Sequence, residues 1–286
     1  MNILYIYGDD TEIMHRKALE INLYVAGAGA FGVFLRWLQD QLAFNELGLA
    51  DPSVFHVLLP LFLLAAAAVF LHFIDRMEKE RQELPEDFCE ALHNEGRLFA
   101  FARRALGVIM VLGALLLLAE GEVDKYPGMV RAVAILGAVS GVAYPLMLAQ
   151  ANREQQKPWL NALLALQPVL LFAVWLVTSY RQNSINPVLW ACAMDIFTPI
   201  TAMVTFFRLA GFAFGAARPR RSFFAAMFGA VMCLTALADS RYMGMQLMLV
   251  AAAGMLILTN WIMVVNLRTG KPREKRPAQP DGFERL

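Results

Sequence analysis

Charged residues are scarce in this chain. Asp, Glu, Lys and Arg together make up 17% of it, against roughly 25% in an ordinary soluble domain, whereas hydrophobic residues make up 58%. This composition argues against a soluble or disordered protein and favours a chain surrounded by lipid. The net charge of +1, with no basic helix suited to a DNA groove, also argues against nucleic-acid binding.

Cysteine and histidine, which often hold metals and haem, are few. Cys89, Cys192 and Cys233 show no metal-ligand spacing, and we interpret them as small buried hydrophobic residues. His56 and His72 lie sixteen residues apart on one predicted helix, and the resulting separation of about 24 Å is too long for a shared metal or haem. We therefore predict no metal and no cofactor.

Three common catalytic signatures are missing from the sequence: H-E-x-x-H, G-x-S-x-G and G-x-x-x-x-G-K-[ST]. Their absence argues against a metalloprotease, a serine hydrolase of that type and a P-loop ATPase. No set of acid, base and nucleophile can be assembled from the remaining residues. An enzyme is therefore the least favoured function class.

Long apolar runs, in contrast, are abundant. A spanning helix needs about 20 apolar residues, because the hydrocarbon layer is roughly 30 Å thick and each helical residue rises about 1.5 Å. The sequence predicts an all-α, polytopic membrane bundle of about eight transmembrane helices. Arg36 lies near one end of the first, where a long side chain is expected to reach the headgroups by snorkelling. The predicted spans are 21–38, 54–73, 98–119, 129–148, 159–180, 188–210, 222–238 and 243–267.

Lys and Arg are unequally divided between the two sides of the predicted bundle. One side carries twenty of the 25, and the other carries Arg36, Lys125, Arg131, Arg181 and Arg241. Because cytoplasmic loops hold the excess of positive charge, we predict a cell-membrane protein with both termini in the cytoplasm. The acidic residues of the exterior side, Asp239 among them, are interpreted as an ordinary solvated surface.

The two halves of the chain resemble each other in places. An Arg-Arg pair at 103–104 precedes an apolar run that ends in Leu-Ala-Glu, and the pair at 220–221 precedes one that ends in Leu-Ala-Asp. Such matches predict two parallel four-helix repeats related by a pseudo-two-fold axis along the membrane normal, with chance similarity of apolar segments as the alternative. The predicted organisation is a cytoplasmic segment 1–17, membrane halves 18–154 and 155–270, and a tail 271–286.

The longest connection between spans is the predicted cytoplasmic loop 75–97. Its charged start, 75–81, predicts a solvated extension of the second span, and the segment 86–101 after Pro85 predicts a helix lying at the membrane interface. The loop is a candidate docking surface for a cytoplasmic protein partner, and a plain connector is the alternative. The basic tail 271–286 is predicted to be disordered and close to anionic lipid.

Small residues also cluster in the predicted spans. Close approach of helix backbones favours glycine, so these positions predict tight packing within the fold rather than a dimer seam. They comprise two G-x-x-x-G spacings and a cluster in the first span: Gly137 and Gly141, Gly211 and Gly215, and Gly27, Gly29 and Gly32.

Asp195 is the one carboxylate well inside a predicted span, and intramembrane ionisable groups normally face a cavity or a partner. Pro199 follows four residues later, where it removes a backbone hydrogen bond to the carbonyl of Asp195 and favours a kink. Such a site can bind a cation, a proton or a substrate amine, and a packing Asp hydrogen-bonded to a neighbouring helix is the alternative. Further intramembrane polar residues complete the predicted substrate-binding set: Tyr144, Asn161 and Gln167.

Two function classes follow from these predictions. The first is a transporter-like or channel-like protein for a small solute or ion, with Asp195 as the charged group of its site. The second is a non-transporting membrane subunit or sensor that anchors or regulates a cytoplasmic partner through the loop 75–97. In both, the lipid bilayer is the main environment of the chain.

Overall fold

The computed structural model of the chain describes residues 3–44, 53–80, 82–153, 157–184, 189–239 and 241–269. Eight of its helices are long and apolar enough to cross a membrane, so the predicted all-α, multi-pass bundle is confirmed. The predicted tail 271–286 lies outside the described residues. The elements are α1 (Ile3–Leu42), α2 (Phe55–Lys79), β1 (Gln82–Glu83), α3 (Phe88–Ala91), α4 (Arg97–Glu120), α5 (Pro127–Gln150), α6 (Pro158–Asn183), α7 (Leu189–Ala213), α8 (Pro219–Thr235), α9 (Met243–Val265) and β2 (Arg268–Thr269).

Proline marks the start of several helices and also occurs inside them. Pro127, Pro158 and Pro219 occupy the first turns of α5, α6 and α8, where the missing N–H costs nothing because the first amides of a helix have no intrahelical acceptor. Internal prolines occur in α2, α5, α6 and α7, at the positions that the sequence placed within spans: Pro60, Pro145, Pro168 and Pro199.

Six helices, α4 to α9, form a closed ring in which each packs on the next and α4 packs on α9. Outside this ring, α1 packs on α8 and α9, and α2 packs on α1 and α8. Helices from the two predicted halves are therefore in direct contact at several places. The internal repeat stays a prediction.

Contacts between helix ends define two faces of the bundle. Lys17, early in α1, contacts Glu80, just beyond the end of α2, whereas Gln39, late in α1, contacts His56 at the start of α2. We call the first side, where α4, α6 and α8 begin, the basic face, because most of the arginines lie there. The other side is called the opposite face.

The loop 75–97 is folded onto the basic face. As predicted, α2 continues into the charged start of this loop, as far as Lys79. The interfacial helix predicted over 86–101 is wrong, because only the four residues of α3 are helical before α4. Asp87 caps α3 by accepting from two backbone N–H groups, and Gly96, with φ of +122°, breaks the chain direction before α4.

Glycine allows α5 and α9 to approach α4 closely, as the small-residue pattern predicted for Gly141, whereas Gly27 of the predicted cluster has nothing within 4 Å of an added Cβ. A Cβ added at Gly107 of α4 would overlap with the backbone oxygen of Gly141 in α5, and one at Gly113 would lie 2.9 Å from the backbone oxygen of Gly244 in α9. The spacing of Gly211 and Gly215 has another cause. Gly215 lies beyond the end of α7 with φ of +66°, so it ends that helix and does not form a packing face.

Candidate functional site

Four charged side chains meet at the opposite face. Arg36, late in α1, donates from Nε to Oδ1 of Asp239 at 2.6 Å, and Asp239 lies in the turn between α8 and α9. Arg241, from the same turn, donates to Oδ2 of Asp239 at 3.1 Å and to Oδ1 of Asp195 in α7 at 2.7 Å. These four residues, named the charge network, therefore connect α1 and α7 through one turn.

The charge network is almost closed to water and carries no net charge. The side chains of Arg36, Arg241 and Asp239 are 3%, 7% and 10% exposed, and that of Asp195 is 27% exposed. Two guanidinium groups face two carboxylates, as buried charges require. Burial raises the pKa of Asp239 above its ordinary value, although the two arginines act in the other direction.

Two interpretations of the sequence are wrong at this face. Arg36 does not snorkel to the headgroups, because its side chain is buried against Asp239. Asp239 does not belong to a solvated acidic surface, because its carboxylate lies between two arginines. Asp195, expected as the one carboxylate within a span, is paired with Arg241 and lies only six residues into α7.

Polar side chains extend the charge network to two more helices. Gln39 accepts from Nη1 of Arg36 at 2.8 Å, and its own Nε2 lies 3.1 Å from Nδ1 of His56 in α2. Asn183, the last residue of α6, donates to Oδ2 of Asp195 at 3.4 Å. At the opposite face, the ends of α1, α2, α6 and α7 are thus connected by hydrogen bonds and ion pairs to the turn between α8 and α9.

A second polar cluster lies at the same face around Asp124, in the turn between α4 and α5. Its Oδ2 accepts from Nε2 of Gln182 in α6 at 2.8 Å and from the hydroxyl of Tyr242 at 3.0 Å. Burial and this hydrogen bond raise the pKa of Tyr242. Glu120 accepts from the backbone N–H of Gly244 at 2.9 Å. The start of α9 is therefore fixed on both sides by polar contacts.

Next to the charge network, α1 and α8 are in close contact. A Cβ added at Gly29 would overlap with Leu234, and one at Gly32 would overlap with Thr235. Thr235 is fully buried, and its Oγ1 has no hydrogen-bond partner among the described residues. This contact, named the α1–α8 seam, leaves a buried polar atom four residues before Asp239.

A buried pair of asparagines lies closer to the basic face, between α1 and α9. Asn260 donates from Nδ2 to Oδ1 of Asn22 at 2.9 Å, and Asn22 donates to the backbone oxygen of Ala18 at 2.8 Å. The other amide oxygen, Oδ1 of Asn260, is buried and accepts no hydrogen bond from the described residues. Such an unsatisfied acceptor costs about 1–3 kcal/mol, so it marks a place where a donor from a solute or water would bind favourably.

Two neighbouring cavities lie at the basic face. The larger, about 370 Å³, lies between the end of α2, the segment 82–86 and the start of α8. The smaller, about 60 Å³, is lined by Ile21 and Val264 and shares Met77, Gln82 and Leu267 with the larger. Ile21 precedes Asn22, and Val264 lies about one turn beyond Asn260, but neither asparagine lines the smaller cavity.

The predicted substrate-binding residues lie at different depths. Asp195 and Pro199 lie in the half of α7 near the opposite face, whereas Asn161 is buried near the start of α6 at the basic face. Asn161 precedes Asn183 by 22 residues, about 33 Å along α6, and Asn183 contacts Asp195. The structure does not bring Asn161 and Asp195 into one site.

The other two predicted residues make local contacts. Tyr144 of α5 is fully buried, and its hydroxyl donates to the backbone oxygen of Met255 in α9 at 2.7 Å. Gln167 is half-buried and donates to the backbone oxygen of Leu163, one turn earlier in the same helix, at 3.4 Å. A role for any of the five residues in substrate binding stays a prediction.

Sequence reasoning missed Arg36, Asp239 and Arg241 as site residues. A signal was available, because Arg36 and Arg241 are two of the five basic residues that depart from the charge asymmetry. A basic residue in or beside an apolar run on the acidic side needs a carboxylate partner when it is buried. Hydropathy alone could not show which carboxylate that is.

The charge network can hold separate elements together through ion pairs and can release them when those pairs break. Within the described ranges, no cluster of three or more His, Cys, Asp or Glu side chains could hold a metal ion. Comparisons with protein-family models, with curated proteins and with solved structures find no match for this chain.

Proposed function

We propose that the chain is a carrier for a small polar solute or ion. In this proposal the pathway runs between α1, α8 and α9, and the charge network closes it at the opposite face. The observation that carries the proposal is the buried charge network beside the α1–α8 seam. The unequal division of Lys and Arg supports placing the basic face in the cytoplasm and the bundle in the cell membrane.

The cost of burying charges supports a functional role for the network. Well-packed apolar side chains of similar volume are often as stabilising as a buried ion pair, or more so. Arg36 and Asp195 lie within spanning helices, where ionisable groups commonly mark solute pathways. The four charges come from α1, α7 and one turn, so breaking the pairs would allow these elements to separate.

Polar groups at successive depths support a pathway along α1. From the basic face they run from the smaller cavity to the asparagine pair, then to Thr235 in the seam and to Arg36 in the network. The tight contact between Gly32 and Thr235 corresponds to a state closed at the opposite face and open towards the basic face. In this reading, the unsatisfied Oδ1 of Asn260 accepts a hydrogen bond from the solute.

In this proposal, Asp195 and Pro199 help to close the pathway at the opposite face. Asp195 contacts both Nε and Nη2 of Arg241, and the same Nη2 donates to Asp239. Pro199 lies one turn further along α7 and lacks the N–H that would bond the carbonyl of Asp195. A bend of α7 at this point would move Asp195 relative to the turn without unfolding the helix.

Cysteine labelling across the seam tests the proposal without knowledge of the substrate. Thr235→Cys is made in a chain whose native cysteines are replaced by alanine, and a membrane-impermeant maleimide is added from the opposite face. Asp239→Asn is then introduced to weaken both arginine contacts. Asn keeps the shape of the side chain but leaves Arg36 without its carboxylate partner, so we expect a loss of stability like that for any other network charge. Labelling is therefore measured well below the unfolding temperature of the variant, and there we expect the rate at position 235 to rise severalfold.

Arg131→Gln is the matched control. It breaks an ion pair with Glu122 at the same face, 3.5 Å long and more than half exposed on both sides, so it should leave the labelling rate unchanged. If position 235 stays unreactive in the folded Asp239→Asn chain, the seam does not open when the network is broken and the carrier proposal is wrong.

A second candidate function is a membrane subunit or sensor that binds a cytoplasmic partner through 75–97. The observation in its favour is that this loop is held in a defined shape. Asn94 donates to the backbone oxygen of Leu148 at 2.8 Å and bonds Asn152, while Asn266 of the chain after α9 donates to the backbone oxygen of Ala91 at 3.0 Å. Site-specific cross-linking from Glu86, which lines the larger cavity, would yield one discrete heavier species if a dedicated partner docks there.

A further inference from the structure

A groove on the lipid-facing side of the bundle lies between α6, the end of α7 and the chain that leads into α8. It has a volume of about 440 Å³, and its lining includes Leu166, Phe207, Arg208, Phe214 and Arg218. We propose that this groove binds the phosphate headgroup of an anionic phospholipid from the leaflet at the basic face. This site is separate from the charge network and from the carrier pathway.

The backbone around the groove is fixed by hydrogen bonds. At the end of α7, the N–H of Ala216 donates to the oxygen of Gly211 at 2.9 Å, and the N–H of Gly215 donates to the oxygen of Phe212 at 3.3 Å. With Gly215 at φ of +66°, this is the Schellman arrangement that ends a helix in a defined turn. The backbone that lines the groove is therefore held in a defined, hydrogen-bonded conformation.

One buried hydroxyl connects the two arginines of the groove. Ser222 of α8 is fully buried, and its Oγ lies 3.2 Å from the backbone oxygens of both Arg208 and Arg218. The two arginine backbones are consequently close neighbours although they are ten residues apart in sequence. Their guanidinium groups can therefore act on one ligand.

The charge of the groove is positive. Within the described ranges, neither Arg208 nor Arg218 forms an ion pair, whereas nearby Arg220 pairs with Glu78 at 2.7 Å. Arginine recognises phosphate through a fork of N–H donors that matches two phosphate oxygens. Basic pockets between spanning helices are also a recurring way to bind anionic headgroups.

The apolar part of the groove suits the acyl chains of a lipid. Phe207 and Phe214 are 59% and 53% exposed, and Leu166 lies eight residues into α6, about 12 Å from its start. The groove therefore extends from the level of the arginines, near the headgroups, into the hydrocarbon layer. A free phosphate would fill only the charged end, so the shape favours a phospholipid.

Native mass spectrometry of the full chain in detergent tests this site. The parent, Arg208→Gln with Arg218→Gln, and a control with Arg97→Gln and Arg104→Gln are each titrated with phosphatidylglycerol and, separately, with phosphatidylcholine. The control removes two exposed arginines from the start of α4 on the same face. Because one arginine near an anionic surface contributes about 1 kcal/mol, or about fivefold in affinity, we expect phosphatidylglycerol binding to fall at least about fivefold in the groove variant alone.

Three outcomes would overturn the proposal: equal loss in both double variants, equal affinity for the two lipids in the parent, or displacement of phosphatidylglycerol by equimolar inorganic phosphate. The last result would identify a site for free phosphate. Arg218→Gln alone, which changes an exposed side chain, gives a second measure if the double variant does not fold. It should lose part of the binding with the unfolding temperature unchanged.

Discussion

The ion pairs of the two faces differ in their surroundings more than in their geometry. At the opposite face, Arg36 and Asp239 meet at 2.6 Å with side chains 3% and 10% exposed. At the basic face, Lys17 and Glu80 also meet at 2.6 Å, but a third of each side chain is exposed. Distance alone would rank these contacts as equal.

This difference shows that burial decides how much stability is lost when one partner of an ion pair is removed. An exposed pair is screened by water and contributes about 0–1 kcal/mol. A buried pair gives little net stability over apolar packing, but the loss of one partner leaves an uncompensated charge. The basic face can therefore vary its charges at small cost, whereas the charge network is either intact or broken.

The largest effect should come from removing one network charge. Arg36→Gln leaves Asp239 buried beside Arg241 alone, and we expect a loss of about 3–5 kcal/mol of stability. Lys17→Gln, which makes the same change of charge in an exposed pair, should cost under about 1 kcal/mol. Chemical denaturation of both variants in the same detergent measures the difference. Equal losses would mean that the network is no more closed to water than the basic face.

A smaller effect should separate the two sides of α1. Gly32→Ala would press a methyl group against Thr235 in the seam, and such overpacking typically costs about 1–3 kcal/mol. Gly27→Ala, with nothing within 4 Å of the added Cβ, should be neutral or stabilising by up to about 1 kcal/mol, because alanine favours a helix. Thermal unfolding of both variants tests this. A stable Gly32→Ala chain would show that the seam is looser than its contacts indicate.

The smallest effect is a pH dependence of opposite sign at the two faces. Burial raises the pKa of Asp239, so its contribution to stability is present at low pH and is lost as the pH rises through that pKa. The hydrogen bond from Lys17 lowers the pKa of Glu80. The contribution of Glu80 to stability is therefore present above the ordinary carboxyl pKa and is lost as the pH falls through the lowered pKa.

Unfolding temperatures measured from about pH 6 to about pH 3, around the ordinary carboxyl range, check both signs. On acidification, Glu80→Gln should lose less stability than the parent, and Asp239→Asn should lose more. The two variants are matched, since each replaces one carboxylate by its amide. Identical pH profiles for both would contradict the assignment of a buried and an exposed acid.

The spans were predictable because each depends on a local property of the chain. A run of about 20 apolar residues spans the bilayer as a helix whatever its neighbours are, since unpaired backbone groups cannot be left in lipid. All eight predicted spans are found, and four of the helices, α1, α4, α5 and α6, begin earlier and end later than predicted. The segment 86–101 was predicted wrongly, because Asp87 caps the start of the short α3 and Gly96, with positive φ, separates α3 from α4 despite the apolar residues between them.

The candidate site was predictable only in part. Asp195 was singled out as a carboxylate within a span that faces a cavity or a partner, and the sequence could not show that its partner is Arg241, 46 residues away. The contact of Arg36 with Asp239 joins residues 203 positions apart. Nothing local in the sequence distinguishes Arg36 from an arginine that reaches the headgroups, because both occur near the end of an apolar run.

By itself, the sequence determined that this is a multi-pass membrane protein of eight helices, because apolar length and backbone hydrogen bonding act within each segment. Only the tertiary structure decided which helices are neighbours, that two arginines and two aspartates are buried together, and that Arg208 and Arg218 share a groove. These are contacts between distant segments, and their energies depend on burial and distance, which arise only when the helices pack.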